Sequence, residues 1–228
     1  MGGAHEKAKA NIAAVRLLKS IEAENRDATD EEKSVLSRYV GWGGLAGIFE
    51  SNYRRRPEWN KPAEELKQLL TDDEFESARA STPNAHFTSP MVISAIWDGL
   101  HHMGVGNGAE ILEPAMGVGH FLGLQPESMQ GHRTGVELDS ITARIAKKLY
   151  PDSTIFQKGF EETPLPDNYF DATVGNVPFG DYAVHDPAMK HGLTRAIHDY
   201  FFAKSLEKTR PGGVMALITS RYTLDKQD

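Results

Sequence analysis

The spacing of hydrophobic residues divides the chain into two regions of different character. From about residue 5 to residue 82, apolar side chains recur at helical spacing, which predicts amphipathic helices. The first such face is formed by Ile12, Val15, Leu18 and Ile21. From about residue 86, short β-rich runs alternate with helical stretches, a pattern typical of a parallel sheet covered by helices. We therefore expect an N-terminal helical region over residues 1–85 and an α/β domain over residues 86–228.

The α/β domain is expected to contain a mostly parallel, Rossmann-like sheet. The predicted strands are Glu110–Glu113, Arg133–Glu137, Thr154–Gln157, Asp171–Gly175 and Val214–Thr219. The predicted helices are Pro90–Met103, a short one from His120, Ser140–Tyr150 and Ile197–Thr209. Ligands of such sheets bind beyond the carboxyl ends of the strands, so we look for chemistry in the residues that follow each strand.

The N-terminal region contains short sequence patterns that mark where helices begin and end. Thr29 with Glu32 and Thr71 with Glu74 form capping-box patterns that predict two helix starts, and Gly41 predicts a helix end. We expect these helices to pack on the α/β domain.

Two features between the helices have both a structural and a binding interpretation. Trp42 lies in a glycine-rich turn and is expected to pack in the core. The run Arg54–Arg56 has the charge to follow a phosphate backbone, but a solvated loop is the favoured interpretation.

Composition excludes several classes of function. The chain has 228 residues, 39% of them hydrophobic, and no cysteine, which removes disulfides, thiolate metal sites and cysteine nucleophiles. The nine histidines do not form a helical pair with an acidic partner, so we expect no metal.

No apolar run approaches the ~18–20 residues of a membrane span and no signal peptide is evident, so a cytoplasmic protein without a membrane partner is expected. The net charge of −7 requires any nucleic-acid binding to use a local positive patch.

The first strand end combines an acidic residue with a glycine turn. Gly117 and Gly119 let the backbone approach a ligand, and the helix from His120 begins with free N–H donors. Leu122 replaces the third glycine of a dinucleotide fingerprint, and Glu113 would repel a pyrophosphate but suits an ammonium group. The pattern favours a small zwitterionic cofactor, with an ordinary tight turn as the alternative.

The next two strand ends offer groups for a nucleoside. Glu137 follows Gly119 by 18 residues, close to the spacing at which an acidic side chain accepts both ribose hydroxyls. Asp139 is expected to cap the following helix. Phe160, after the third strand, offers an apolar surface to a purine, and a core role is the alternative.

The fourth strand end is the most specific signal. In Asn176-Val177-Pro178-Phe179, the Asn176 amide oxygen and the Val177 carbonyl are two acceptors for an exocyclic aromatic amine. Such acceptors stabilise the positive charge that develops when the amine attacks an electrophile. Phe179 can stack on an extruded base. An Asn-Pro turn alone would explain Pro178 but not the aromatic residue.

Together these motifs resemble the class I S-adenosylmethionine-dependent methyltransferases, specifically the N6-adenine DNA methyltransferases of the gamma motif order. The matching segments are His86-Phe87-Thr88-Ser89-Pro90, Glu113–Gly119, Glu137, Asn176–Phe179, His198–Phe202 and Arg210–Val214. The resemblance covers about residues 86–224. The helical leader with Val40–Leu45 resembles the large helicase–methyltransferase proteins of plasmids, phages and conjugative elements.

The resemblance implies methyl transfer from S-adenosylmethionine to the N6 amine of an adenine flipped out of DNA. It implies catalytic roles for Asn176, Val177, Pro178 and Phe179. It implies cofactor binding by Thr88, Glu113, Ala115, Gly117, Gly119, Glu137, Leu138, Phe160 and Asn176. The family continues beyond the fifth strand with two more strands and a target-recognition region, so we expect the sheet to be truncated and this chain to be linked to further domains.

Two positions depart from the family pattern. Val177 replaces the usual first proline, and Gly159 occupies a place where the family usually has an acidic residue for the adenine amine, so Glu161 or a backbone group must serve. Cytosine C5 is excluded as the acceptor because its methylation needs a cysteine. A guanine amine and a glutamine amide stay open as acceptors, and so does a catalytically weak cofactor-binding remnant of a larger DNA-processing protein.

Overall fold

The structure is a computed structural model that describes residues 3–82, 88–178, 180, 182–189, 194 and 196–219. The helices are α1 (Ala4–Ala23), α2 (Asp30–Leu36), α3 (Asn60–Leu69), α4 (Asp72–Ala80), α5 (Pro90–His102), α6 (His120–Gly123), α7 (Ser140–Leu149) and α8 (Ile197–Lys208). The strands are β1 (Glu110–Glu113), β2 (His132–Glu137), β3 (Thr154–Gln157), β4 (Phe170–Asn176) and β5 (Thr209–Ile218). The chain forms two compact units, Met1–Phe87 with Asp139–Pro151, and Thr88–Leu138 with Asp152–Asp228.

The second unit contains the sheet, whose described strands are all parallel in the order β3-β2-β1-β4-β5. This confirms the predicted fold class. The chain moves outward from β1 to β3 and then returns to place β4 beside β1, so the strand order reverses between β1 and β4. In open α/β sheets that point opens a crevice at the carboxyl edge.

The two central strands, β1 and β4, carry apolar side chains that are covered on the sheet. Ile111 and Leu112 of β1 and Ala172 and Val174 of β4 are fully buried. A further core cluster surrounds Tyr200 of α8; its buried members are Leu112, Val136, Phe160, Leu165, Phe170, Val177, Ile197, Tyr200 and Phe201.

The start of β5 corrects the sequence prediction, which placed it at Val214. Thr209 already pairs with Phe170, and the register then shifts before Val214 pairs with Ala172. Gly212 adopts a φ of +79° within this irregular stretch. Pro211 and the two glycines that follow it look like a loop in the sequence, but the strand accommodates them as an irregularity.

In the first unit, α1 buries the predicted face. Ile12, Val15, Leu18 and Ile21 are all buried. Both capping boxes are confirmed. The Thr29 and Thr71 side chains accept from the N–H groups of Glu32 and Glu74, and the glutamate carboxylates accept from the N–H groups of the threonines. None of the helices within the described ranges is long and apolar enough to cross a membrane.

The end of α2 differs from the prediction that Gly41 terminates it. The helix ends at Leu36, and the chain continues through two turns to Gly41, whose φ is +62°. The buried Asn11 side chain holds this segment, donating to the Gly41 carbonyl at 2.5 Å and accepting from the Val40 N–H at 2.8 Å. A side chain 30 residues away therefore satisfies the backbone, which a local pattern does not reveal.

Trp42 packs in the core, as expected. Its side chain is fully buried, and its ring makes edge contacts with Tyr39 and Phe49 at centroid distances of 6.0 and 5.4 Å. In the arginine run, Arg55 donates to the Glu50 carbonyl at 2.5 Å, and Arg54 and Arg56 are exposed. These features agree with a solvated loop.

Helix α7 follows β2 in the chain but belongs to the first unit with the N-terminal helices. Arg144 pairs with both Glu22 and Glu74, and Lys148 donates to the Arg26 carbonyl at 2.5 Å. The N-terminal helices thus pack on a helix that the sequence places within the α/β domain.

Candidate functional site

The carboxyl ends of β1 and β4 lie next to each other at the centre of the sheet. Ile111 pairs with Ala172 and Leu112 with Thr173. A Cβ added to Gly175 would lie 3.5 Å from the Glu113 Cγ atom. The structure therefore brings Glu113 beside the residue that precedes Asn176, at the edge where ligands of this sheet type bind.

Glu113 is a buried carboxyl, 2% exposed, and its Oε2 atom has no hydrogen-bond partner. Burial raises its pKa well above the usual range, and Glu137 raises it further, against the opposing hydrogen bonds from the N–H groups of Leu122 and Phe121. A buried polar atom without a partner destabilises a fold. A cationic donor at this position would relieve that cost, so the residue has the properties of a binding group for an ammonium.

The glycine turn after β1 is tied to the end of β2. Gly117 and Gly119 have φ angles of +55° and +79°, which favour glycine. The Gly117 N–H donates to Glu137 Oε2 at 2.8 Å, and the Met116 N–H donates to the Val136 carbonyl at 3.0 Å. Glu137 thus supports the turn in addition to the ribose role predicted for it.

Gly135 is a residue of the site that the sequence analysis missed. A Cβ at this position of β2 would lie 2.2 Å from the Met116 sulfur atom. Met116 is buried, so a side chain at position 135 would require the Met116 side chain to move. A glycine inside a predicted strand was the available signal.

Leu138 and Phe160, both predicted to bind the cofactor, have opposite environments. Leu138 follows β2 and is 74% exposed. Phe160 is buried, with its ring 5.2 Å from that of Phe201 and 6.2 Å from that of Tyr200. The structure thus gives Phe160 the core packing that the sequence left open as an alternative, and its contact with a purine stays a prediction.

The space beside Gly159 is occupied by a carboxylate. A Cβ at Gly159 would lie 2.2 Å from Glu161 Oε1 and 2.7 Å from Oε2. The carboxylate of Glu161 therefore lies where a side chain at position 159 would begin. The role of Glu161 as a partner of the cofactor adenine amine stays a prediction.

The candidate catalytic segment begins at the last residue of β4. Asn176 is half-buried and pairs with Ile218, and the Val177 N–H donates to the Ile218 carbonyl at 3.0 Å. Val177 is buried and Pro178 is half-buried. The neighbouring strand thus holds the backbone of Asn176 and Val177.

Two further predicted site residues, Ala115 and Thr88, lie in the part of the chain that the structure describes. Ala115 is half-buried in the glycine turn, and the Thr88 hydroxyl is buried without a hydrogen-bond partner just before α5. Phe179 of the predicted site, and His86 and Phe87 of the first family motif, lie outside the described residues. Within the described ranges, no group of three or more His, Asp or Glu side chains is placed to hold a metal ion.

Solved methyltransferase structures share this architecture. A protein of Listeria monocytogenes described as a class I S-adenosylmethionine-dependent methyltransferase matches with a TM-score of 0.55 and 14% identity, over 96% of this chain and 76% of that one. The methyltransferase subunit of a type I restriction-modification system from Streptococcus thermophilus matches with a TM-score of 0.55 and 12% identity, over 78% and 46%. This chain has the Rossmann-like fold of class I methyltransferases.

A curated relative is similar in sequence. Defense against restriction protein B of Escherichia phage P1 is 26% identical over 215 residues, which are 92% of this chain. The chain spans only 8% of the length of that phage protein. No protein-family model matches the chain.

Proposed function

We propose that this chain is an S-adenosylmethionine-dependent methyltransferase that acts on the N6 amine of adenine in DNA. One observation carries the proposal: in a methyltransferase fold, the buried Glu113 carboxyl with an unsatisfied oxygen lies beside the end of β4, which continues into Asn176-Val177-Pro178. In this proposal, a binding group for a cation and two acceptors for an amine lie at the same carboxyl edge of the sheet.

The residues of the carboxyl edge suit this cofactor. Glu113 is the partner for the methionine ammonium, and Gly117 and Gly119 keep the turn free of side chains. The other groups proposed to line the cofactor are Thr88, Ala115, Glu137, Leu138, Phe160 and Asn176. When bound, the cofactor supplies an electrophilic methyl group on its sulfonium. Glu161 is the proposed partner of the adenine amine of the cofactor, because its carboxylate fills the space beside Gly159.

The proposed chemical role of the chain's own residues is to help an exocyclic amine, a weak nucleophile, attack the methyl group of the cofactor. The lone pair of an exocyclic amine is delocalised into the aromatic ring. The Asn176 amide oxygen and the Val177 carbonyl accept hydrogen bonds from the two N–H groups of the amine and stabilise the developing positive charge. Pro178 has a fixed φ that limits motion of this segment. Phe179 is proposed to stack on the flipped base.

DNA is the proposed substrate because the similar proteins are named for restriction and modification. One is a restriction-modification methyltransferase subunit, and the phage relative is named for defence against restriction. We further propose that the working protein carries other domains linked to this one, as the much longer phage relative suggests.

The test is transfer of labelled methyl groups to unmethylated DNA, followed by analysis of the product nucleosides. We expect N6-methyladenine from the wild-type chain. Asn176→Ala should lower transfer by about two orders of magnitude while the cofactor still binds. The matched control is Asn107→Ala, an exposed asparagine before β1, which should retain transfer.

Three results would contradict the proposal in different ways. Labelled methyl on a guanine amine or a glutamine amide instead of adenine would show that the proposed acceptor is wrong. Cofactor binding without transfer to any acceptor would identify a cofactor-binding remnant. Equal transfer by Asn176→Ala and the wild type would remove Asn176 from catalysis.

A further inference from the structure

Helix α8 carries a lysine that is almost completely buried. Lys204 is 5% exposed, although lysine is rarely buried without a partner. Its ammonium donates to Asp186 Oδ2 at 2.8 Å and to the Glu161 backbone carbonyl at 3.2 Å. It also lies 5.4 Å from the centroid of the Phe160 ring. One side chain thus contacts two segments that are distant in sequence.

Asp186 is the second buried charge of this cluster. It is 7% exposed and also accepts from the Tyr200 hydroxyl at 2.8 Å and from the Ala188 N–H at 3.0 Å. Burial acts to raise the pKa of Asp186, but the hydrogen bonds from Lys204, Tyr200 and Ala188 outweigh it and the pKa lies below its usual value. The carboxylate therefore stays charged and holds residues 182–189 against α8.

The two segments joined by Lys204 follow the two strand ends that matter most to the proposed site. Phe160–Glu162 follows β3 and contains the groups proposed for the cofactor adenine. Residues 182–189 follow β4 and the Asn176–Pro178 segment. A shift of either segment would alter the hydrogen bonds or the ring contact of the same ammonium.

We propose that Lys204 is a positioning residue that couples the cofactor side of the site to the segment following the catalytic motif. The inference rests on the proposed function. Occupation of the cofactor site orders Phe160–Glu162, and the Lys204 ammonium transmits that order through Asp186 to residues 182–189. Binding of the cofactor thereby prepares the acceptor side of the crevice.

Lys208 provides a matched control on the same helix. It lies one turn beyond Lys204 and is 7% exposed, and it pairs with Asp167 and Glu207. Asp167 precedes β4 and Glu207 is in α8, so these pairs do not join the two segments. Lys204→Met and Lys208→Met each remove one buried ammonium, but only the first removes the connection.

The experiment measures hydrogen exchange of residues 182–189 with and without S-adenosylmethionine, and the cofactor affinity by calorimetry. In the wild type and Lys208→Met, cofactor should slow exchange in this segment by about tenfold or more. In Lys204→Met, cofactor should bind within about threefold of wild type without slowing exchange. The double variant Asp186→Asn/Lys204→Met removes both charges, so it should keep the fold better than either single variant and should also lack the response.

The outcomes separate the two proposals. A wild-type chain that does not bind S-adenosylmethionine overturns the proposed function and this inference with it. A chain that binds the cofactor but shows no slowing at residues 182–189 overturns only the coupling. A Lys204→Met variant that keeps the wild-type response also overturns the coupling, because the ammonium is then not its carrier.

Discussion

At the scale of single residues, the candidate site combines groups that destabilise the free protein. Glu113 is buried with one oxygen unsatisfied, and the Thr88 hydroxyl is also buried without a partner. Such groups persist where a ligand supplies the missing partner, and strongly shifted titratable groups cluster at functional sites. The stability of the chain should therefore improve when such a group is neutralised.

Glu113→Gln tests this cost through pH. The pKa of Glu113 in the folded state lies well above its usual 4.5, so the folded state holds the proton more tightly than the unfolded state. Protonated Glu113 stabilises the folded state fully below about pH 4.5, and this stabilisation is lost as the pH rises through the raised pKa of the folded state. Thermal unfolding should show a higher Tm for Glu113→Gln than for wild type at neutral pH, with a smaller difference at pH 4.

Glu110→Gln is the control, because Glu110 begins the same strand at its opposite end. It should not show a gain in Tm that grows with pH. A Glu113→Gln variant less stable than wild type at neutral pH would mean that the carboxyl is already well solvated or paired in the free chain.

Glu137 has a double role that two substitutions separate. Glu137→Ala removes the acceptor of the Gly117 N–H and the proposed ribose ligand, and should weaken cofactor binding by about 1.5–3 kcal/mol. Glu137→Gln keeps an oxygen for the Gly117 N–H but loses the charge, so its cofactor affinity should lie between those of wild type and Glu137→Ala. Calorimetric titration measures both, and affinities within about twofold of wild type for Glu137→Ala would exclude the ribose role.

At the scale of elements, α7 is held by ion pairs with α1 and α4. Glu74 of α4 accepts from Lys19 at 2.6 Å and also pairs with Arg144 of α7. Burial acts most strongly to raise the pKa of Glu74, but hydrogen bonds from Lys19, from the Thr71 N–H and from Arg144 lower it to about 2. The charged carboxylate thus stabilises the contact between these helices.

Glu74→Gln should reveal this contribution below neutral pH. Because the folded-state pKa is depressed, the stabilisation is complete above about pH 4.5 and is lost as the pH falls toward about 2. The variant should lose about 1 kcal/mol at pH 7, since the group is partly screened by solvent, and its Tm should fall less than that of wild type over this acidic range.

Glu76→Gln on the same helix is the matched control for Glu74→Gln. Its carboxylate pairs with Arg79 at an exposed position, so its effect should stay within about 0.5 kcal/mol. If Glu76→Gln destabilises as much as Glu74→Gln, the ion pairs of Glu74 with Lys19 and Arg144 are not the source of the effect.

At the scale of the whole molecule, the charge distribution limits binding to DNA. The net charge is −7, and the arginine run Arg54–Arg56 is the main basic cluster of the sequence. We expect weak binding to duplex DNA, with a steep salt dependence and little sequence preference. Gel-shift competition with unrelated duplexes measures this, and tight binding to one sequence at physiological salt would show that recognition determinants lie within these residues.

Local features of the fold were predictable from sequence because they depend on neighbouring residues. The strands β1 and β3 have their predicted bounds, and both capping boxes form. The helical face of α1 is buried as its periodicity indicates. Strand ends that carry polar groups and glycines also identified where the candidate site should lie, since parallel strands share one carboxyl edge.

Only the tertiary structure determined which partners these residues meet. The path of the chain at Val40 and Gly41 depends on Asn11, the start of β5 on Phe170, and the environment of Phe160 on the rings of α8. The burial of Glu113 and the pairing of Lys204 with Asp186 likewise require elements far apart in the chain. Periodicity and motif spacing record local conformation, whereas desolvation and ion pairing depend on contacts that form only when distant segments pack together.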